Sequence, residues 1–210
     1  MTGTVLLRCA GPMQSWGTRS RFSDRDTERE PSKSGVIGLV ASALGRRRDE
    51  PIHDLAALRM SVRIDKPGQL ASDYQTAQEL GQESGRAILS RRFYLADASF
   101  LVALEGDADL CSAIHMALRR PRWPLFLGRK SYVPGCPLHV RDGYQPRAAL
   151  ELLARIEWPQ GNDELPVVVE CGPGQDGDPR LDSPVSFAWG RRTFAVRRVT
   201  RTVVARGEAE

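Results

Sequence analysis

Lysine is nearly missing from this chain. Of 30 basic residues in 210, three are lysine and 27 are arginine. Long apolar runs are missing too, and none approaches the roughly 18 residues that a membrane-spanning helix needs. The N-terminus lacks a charged segment followed by an apolar stretch and a cleavage site. The expected compartment is therefore the cytosol, with no membrane partner. Cysteine is sparse: Cys9, Cys111, Cys136 and Cys171 are widely spaced and form no C-x-x-C pair. That argues against a zinc knuckle, and a reducing compartment argues against disulfides. His53, His115 and His139 lack metal-ligand spacing. No P-loop is present. Gly172, Gly174 and Gly177 match G-x-G-x-x-G in letters only, because Asp178-Pro179 follows where the fingerprint needs a helix. No seat for a metal or cofactor is visible, and none is expected.

What the chain has is ordinary globular composition, 41% apolar and 27% charged, at a length that suits one large domain or two small ones. Its net charge of +4 hides strong segregation. Residues 1–50 carry +3, 51–92 carry +1, 93–118 carry −4, 119–147 carry +6, 148–186 carry −6, 187–206 carry +6 and the last four −2. Basic blocks that converge in the fold would form an electrostatic footprint for nucleic acid; scattered, they would be a solvated surface of mixed sign. Arginine offers a planar fork that grips phosphate with two bonds and stacks on bases, although a GC-rich genome also raises arginine.

The apolar pattern gives an order of elements. Val5–Ala10 reads as a buried strand ended by Gly11-Pro12. Ser32 or Ser34 caps a helix to about Leu44, with Gly45 as its C-cap; Gly35 and Gly38 imply close packing on its surface. Leu58–Asp65, Ile88–Leu95 and Ala98–Glu105 read as strands. Asp107 or Asp109 caps a helix carrying Leu110, Ile114, Ala117 and Leu118 at helical spacing, and Leu125–Leu127 reads as a short strand. Strand, helix, strand, strand, helix, strand is the order of an α+β ferredoxin-like fold, shared by the RNA-recognition motif. It predicts a domain over residues 1–140 and a small β-rich part over 141–210. In that second part Gln145–Ile156 reads as a helix, Val167–Cys171 as a strand, Gly172–Pro184 as a loop, and Phe187–Val204 as β-prone. The polar excursion from Gly68 to Arg86 is too long for an ordinary connection.

Two segments stand out chemically. The first runs from Gly11 to Phe22 and on through Pro31-Ser32-Lys33-Ser34-Gly35. It sets Gln14, Ser15, Trp16, Arg19, Arg21, Ser32, Lys33 and Ser34 between a strand and a helix N-terminus, where free N–H groups and the positive end of the dipole suit a phosphate. The second is Phe126–Ser131, where Gly128 lets the backbone come close and Arg129, Lys130 and Ser131 follow. The bland reading of each is a polar loop.

These segments carry a family resemblance. "LLRCAGPMQSWGTRSRF…PSKSGVIGLVASALG", "SDYQTAQ", "SRRFYLADASFLVALEG" and "PLFLGRKSYVPGCPL" resemble, in order, the blocks of the CasD subunits of type I-E CRISPR Cascade complexes. The likeness is nearly continuous from Thr4 to Leu138 and looser beyond. It implies a ferredoxin-like body with a long β-hairpin thumb at about 68–92. It implies a subunit without catalysis that caps the 5′ handle of the CRISPR RNA. It also implies a place between the backbone subunit CasC and the large subunit CasA, which meets target DNA. Gln14, Ser15, Trp16, Ser32, Lys33, Ser34, Arg92 and Gly128–Ser131 match the family's handle-binding blocks. Tyr74 and Arg91 lie near the two ends of the thumb, with Arg91 standing where relatives carry an aromatic residue. The alternative is a metal-independent endoribonuclease acting on precursor CRISPR RNA, for which Tyr94, His115 and Lys130 are the available acid–base groups.

Overall fold

A computed structural model describes residues 1–18, 24–77 and 87–207. In chain order the elements are β1 (Thr2–Ala10), β2 (Met13–Gln14), β3 (Asp24–Arg25), α1 (Lys33–Leu44), α2 (His53–Ala56), β4 (Arg59–Lys66), β5 (Gln69–Ala77), β6 (Ile88–Ala96), β7 (Ser99–Asp107), α3 (Ala108–Arg119), β8 (His139–Gln145), α4 (Ala149–Arg155), β9 (Glu164–Glu170), β10 (Asp178–Ser186) and β11 (Thr193–Ala205). Among the described residues no helix is long and apolar enough to cross a membrane.

The main sheet has seven strands in the order β10-β11-β9-β4-β7-β1-β8, and every neighbouring pair is antiparallel. β7 is apolar without a break from Phe100 to Leu104, and β1 from Val5 to Leu7, because both faces are covered. Val5, Leu7, Cys9, Phe100, Val102 and Leu104 belong to a core with α1 and α3. Leu6, Leu101, Ala103 and Val140 belong to a second core with Ala149, Leu152 and Leu153 of α4. Successive strand side chains point to opposite faces, so one run of residues serves both cores.

Ser32 caps α1, Gly45 ends it in the left-handed conformation, and Asp107 caps α3, as the sequence predicts. Three readings need correction. Leu125–Leu127 is not a strand: Leu127 accepts from Ser15 N at 3.1 Å and donates to Tyr132 O at 2.8 Å, so its backbone is paired inside a turn. The strand that follows α3 is β8, whose register against β1 shifts between Val5 and Leu7 and whose apolar alternation is weak. The predicted Gly172–Pro184 loop contains the start of β10, an outermost strand able to hold Pro179 and Pro184 because its outer side pairs with nothing in the sheet. The helix predicted from Gln145 begins only at Ala149, because β8 runs through Gln145.

The polar stretch after Gly68 forms an antiparallel pair, β5 with β6, in register from Gln69 opposite Ala96 to Ala77 opposite Ile88. β6 also pairs with β2 and, in parallel, with β3. This smaller sheet carries the first loop and the β5–β6 pair together.

Candidate nucleic-acid interface

The first loop is anchored by the side chains that looked like ligand donors. Gln14 is fully buried. Its Nε2 donates to Cys9 O at 3.0 Å and Ala98 O at 2.7 Å, and its Oε1 accepts from Trp16 Nε1 at 3.2 Å. Trp16 is 1% exposed and packs against Gly35 of α1. A Cβ on Gly35 would sit 2.8 Å from Trp16 Cε3, so only glycine lets helix and indole approach this closely. Ser15 Oγ donates to Phe93 O at 3.2 Å. Gln14 and Trp16 are thus satisfied within the chain, and they tie the loop to β1, to the residue before β7 and to α1.

The helix N-terminus is also bonded within the chain. Ser32 Oγ accepts from Gly35 N, and the Lys33 amide donates to Asp182 Oδ2 at 2.8 Å. Lys33 is 2% exposed, with Nζ 2.7 Å from Glu170 Oε1. Burial nevertheless pushes its ammonium below the usual lysine range, outweighing the pull of Glu170. Arg197 holds Asp182 through two bonds of 2.6 and 2.9 Å, and Arg180 reaches Glu28 at 3.1 Å and Glu30 at 3.0 Å. Ser34 is buried beside them. A carboxylate from β10 thus occupies the place that the sequence offered to a phosphate, and the favourable field of the helix end is satisfied within the chain. Asp182, Glu170 and Arg197 lie far along the chain, and no local signal in the sequence marked them.

The second segment is different. Gly128 has φ +91°, and a Cβ there would lie 1.7 Å from Ser15 O. Ser15 N donates to Leu127 O across the same contact, so the two segments singled out in the sequence are locked together. The turn that follows leaves Lys130 and Ser131 exposed. Arg129 donates to Tyr132 Oη at 2.8 Å, lies over that ring at 5.3 Å, and donates to Arg25 O at 3.2 Å. Arg25 is opposite Arg92, and Asp24 opposite Arg91, in the β3–β6 pair. On the other side of β6, Tyr74 is opposite Arg91 and Asp73 opposite Arg92. Arg92 Nε donates to Ser90 Oγ at 3.1 Å, Arg91 and Arg25 are exposed, and Tyr74 is 65% exposed. The β3–β6 pair thus sets Arg25 and Arg92 on one face and Arg91 with the exposed Tyr74 ring on the other, and Arg129, bonded to the Arg25 carbonyl, joins them to the turn that carries Lys130. Arg19 and Arg21 lie outside the described residues. Arg25 was missed because it stands between Asp24 and Asp26 in a stretch of mixed charge.

This geometry can hold phosphates with guanidinium forks and stack a base on Tyr74 or an arginine plane. The family model described as CRISPR-associated protein (Cas_Cas5) matches residues 4–200. The chain belongs to this Cas5 family. It is 36% identical over 158 residues to the CRISPR system Cascade subunit CasD of Escherichia coli strain K12, covering 66% of this chain and 68% of that protein. A solved structure titled "Crystal structure of Cas protein" is 44% identical, with TM-score 0.81 and coverage of 97% of this chain and 95% of the other. A chain of a "CRISPR RNA-guided surveillance complex" is 32% identical, with TM-score 0.80 over 96% of this chain and 90% of that one. The Cas5 likeness therefore extends over the C-terminal strands, where the sequence alone gave only a loose match.

Proposed function

We propose that this Cas5-family chain is a subunit without catalysis of a type I-E Cascade assembly, capping the 5′ handle of the CRISPR RNA. Its seat lies between a CasC-type backbone subunit and a CasA-type large subunit, in the cytoplasm. The observation that carries this reading is the linked set of Gly128, Ser15, β3 and β6, which presents Arg25 and Arg92 on one face, Arg91 on the other, and Arg129 and Lys130 at the turn. Such charge in a cytoplasmic chain has its natural partner in a polyanion. The body is read as ferredoxin-like, which the strand order β8-β1-β7-β4 supports, with α1 and α3 as its two crossovers. The β5–β6 pair is its thumb, and residues 141–210 are its C-terminal part. In this reading the buried first-loop residues shape the seat, and the exposed arginines hold the RNA.

The endoribonuclease alternative draws less support. His115 lies against His139 and Tyr144, whereas Tyr94 lies against Tyr132 beside Arg129. The test is nuclease protection of the handle in complexes assembled with guide RNA. The triple variant Arg91→Ala, Arg92→Ala, Arg129→Ala is expected to keep its melting temperature and lose protection of the 5′ end. Unchanged protection would refute the assignment, and discrete cleavage products from precursor RNA without metal would replace it with the nuclease.

A further inference from the structure

The hairpin between β10 and β11 ends in an aromatic side chain that the rest of the chain leaves bare. Arg191 N donates to Ala188 O at 3.0 Å across a tight turn, Gly190 takes φ +71°, and Trp189 stands out of the turn 88% exposed. A tryptophan in that position forgoes the large apolar burial that usually places this residue. We propose that Trp189, with Arg191, Arg192, Arg48 and Arg122, forms a second binding surface for single-stranded nucleic acid, stacking an unpaired base on the indole and holding the flanking phosphates.

Three observations carry this. First, the hairpin end is fixed. Phe187 packs against α1, 3.7 Å from where a Cβ on Gly38 would stand, and the Arg192 guanidinium lies 5.0 Å over the Phe194 ring. The indole is therefore presented on a rigid base, which lowers the entropy lost on binding.

Second, the charge around it is of one sign. Arg48 lies close enough to Arg192 to push its proton affinity down, adding to the effect of partial burial. The Arg122 side chain lies along Gly45 at the end of α1, and Trp123, 38% exposed, follows it. Among the described residues no carboxylate is within ion-pair distance of Arg48, Arg122, Arg191 or Arg192. The neighbouring Arg46 and Arg47 do have such partners, Asp54 and Asp49, and Glu50 accepts from the Arg47 amide. Nor does the helix end use these guanidiniums: the carbonyls of Ala41, Ser42 and Ala43 accept from the backbone amides of Arg46, Gly45 and Arg122. Guanidiniums held together without a counter-charge are relieved by a polyanion. Bare indole among arginines suits a base and its phosphates better than an apolar protein face, because every base offers a π-face to stack.

Third, the surface is separate from the one that carries Arg129. Trp16 of the first loop meets α1 at Gly35, in its first turn, whereas Arg48 and Arg122 lie past its other end. Twelve residues of helix put about 18 Å between them.

The experiment is a titration of the full chain with short oligouridylate and oligothymidylate, read by tryptophan fluorescence. Salt-dependent quenching is expected in the wild type, and also in Arg91→Ala, Arg92→Ala, Arg129→Ala, which lacks the other surface. Adding Trp189→Ala, or Arg191→Ala with Arg192→Ala, to that triple variant is expected to weaken binding about tenfold with an unchanged melt. Ultraviolet crosslinks of oligouridylate to the wild type are expected within residues 187–194, a readout that needs no variant to fold. The tighter-bound oligonucleotide tells whether RNA or DNA is the occupant. Handle protection should survive Trp189→Ala, so this surface and the handle assignment can fail independently. Unchanged affinity without Trp189, or crosslinks confined to other segments, would overturn the proposal. So would a Trp189→Ala chain that binds oligonucleotides normally but no longer assembles with other subunits, since the hairpin would then be a protein contact.

Discussion

The N-terminus of α1 and the turn after Gly128 carry the same kinds of residue, serine, lysine or arginine, and glycine, yet the fold treats them in opposite ways. At the first, Lys33 is 2% exposed and bonded to Glu170, while Asp182 receives the Lys33 amide and the Arg197 guanidinium. At the second, Lys130 and Ser131 face solvent and Arg129 leans on Tyr132 and a backbone carbonyl. The difference lies in the partner. Where a distant strand returns a carboxylate, positive charge and helix field build the body; where none returns among the described residues, the charge stays available to something outside the chain.

That contrast can be broken at its strongest point first. Asp182→Ala removes the acceptor of Arg197 and of the Lys33 amide and leaves a buried cation short of a partner. It is expected to cost about 3–5 kcal/mol in urea unfolding. A loss under 1 kcal/mol would show that the network is not what holds β10 to α1. Gly128→Ala comes next. Its left-handed backbone and the Ser15 carbonyl leave no room for a Cβ, and the backbone strain alone is worth about 1–3 kcal/mol. The larger consequence is separation of the turn from the first loop, so handle protection should fall further than stability does. A variant with full protection would mean that the seat does not need this contact.

A smaller effect is expected in acid. His115 and His139 have proton affinities lowered by burial, against an unfolded value near 6.5. The unfolded chain therefore takes up protons first. The contribution of the pair is complete above about pH 6.5 and is lost as pH falls below it, toward the lower folded values. Melts from pH 8 to 5 should show the wild type losing more stability than the double variant His115→Asn, His139→Asn. Parallel curves would refute it.

Much of this molecule is legible in the chain because its signals are local. Ser32, Gly45 and Asp107 mark helix ends with side chains or backbone that act within one turn, and the unbroken apolar runs of β1 and β7 reflect cover on both faces. The close approach at Gly128 was readable as a glycine before two cations, though not that Ser15 is what comes close. What could not be read is set by long-range pairing. β8 and β10 have poor alternation and owe their places to neighbouring strands. The fate of Lys33 depends on Glu170 and Asp182, more than a hundred residues away. Donor residues before a helix look the same whether a phosphate or a carboxylate of the same chain will meet them.

The central claim, that one basic segment builds the fold and the other binds RNA, is tested most directly by salt dependence. The affinity of the full chain for single-stranded RNA is measured across salt concentrations for the wild type, Lys33→Gln, and the double variant Arg129→Ala, Lys130→Ala. Each phosphate contact on single-stranded RNA contributes about 0.7 to the slope of log K against log salt. The expected result is a lower slope with an unchanged melt for Arg129→Ala, Lys130→Ala, and an unchanged slope with a lowered melt for Lys33→Gln. The reverse pattern, a slope that falls with Lys33 and ignores Arg129 and Lys130, would contradict the account.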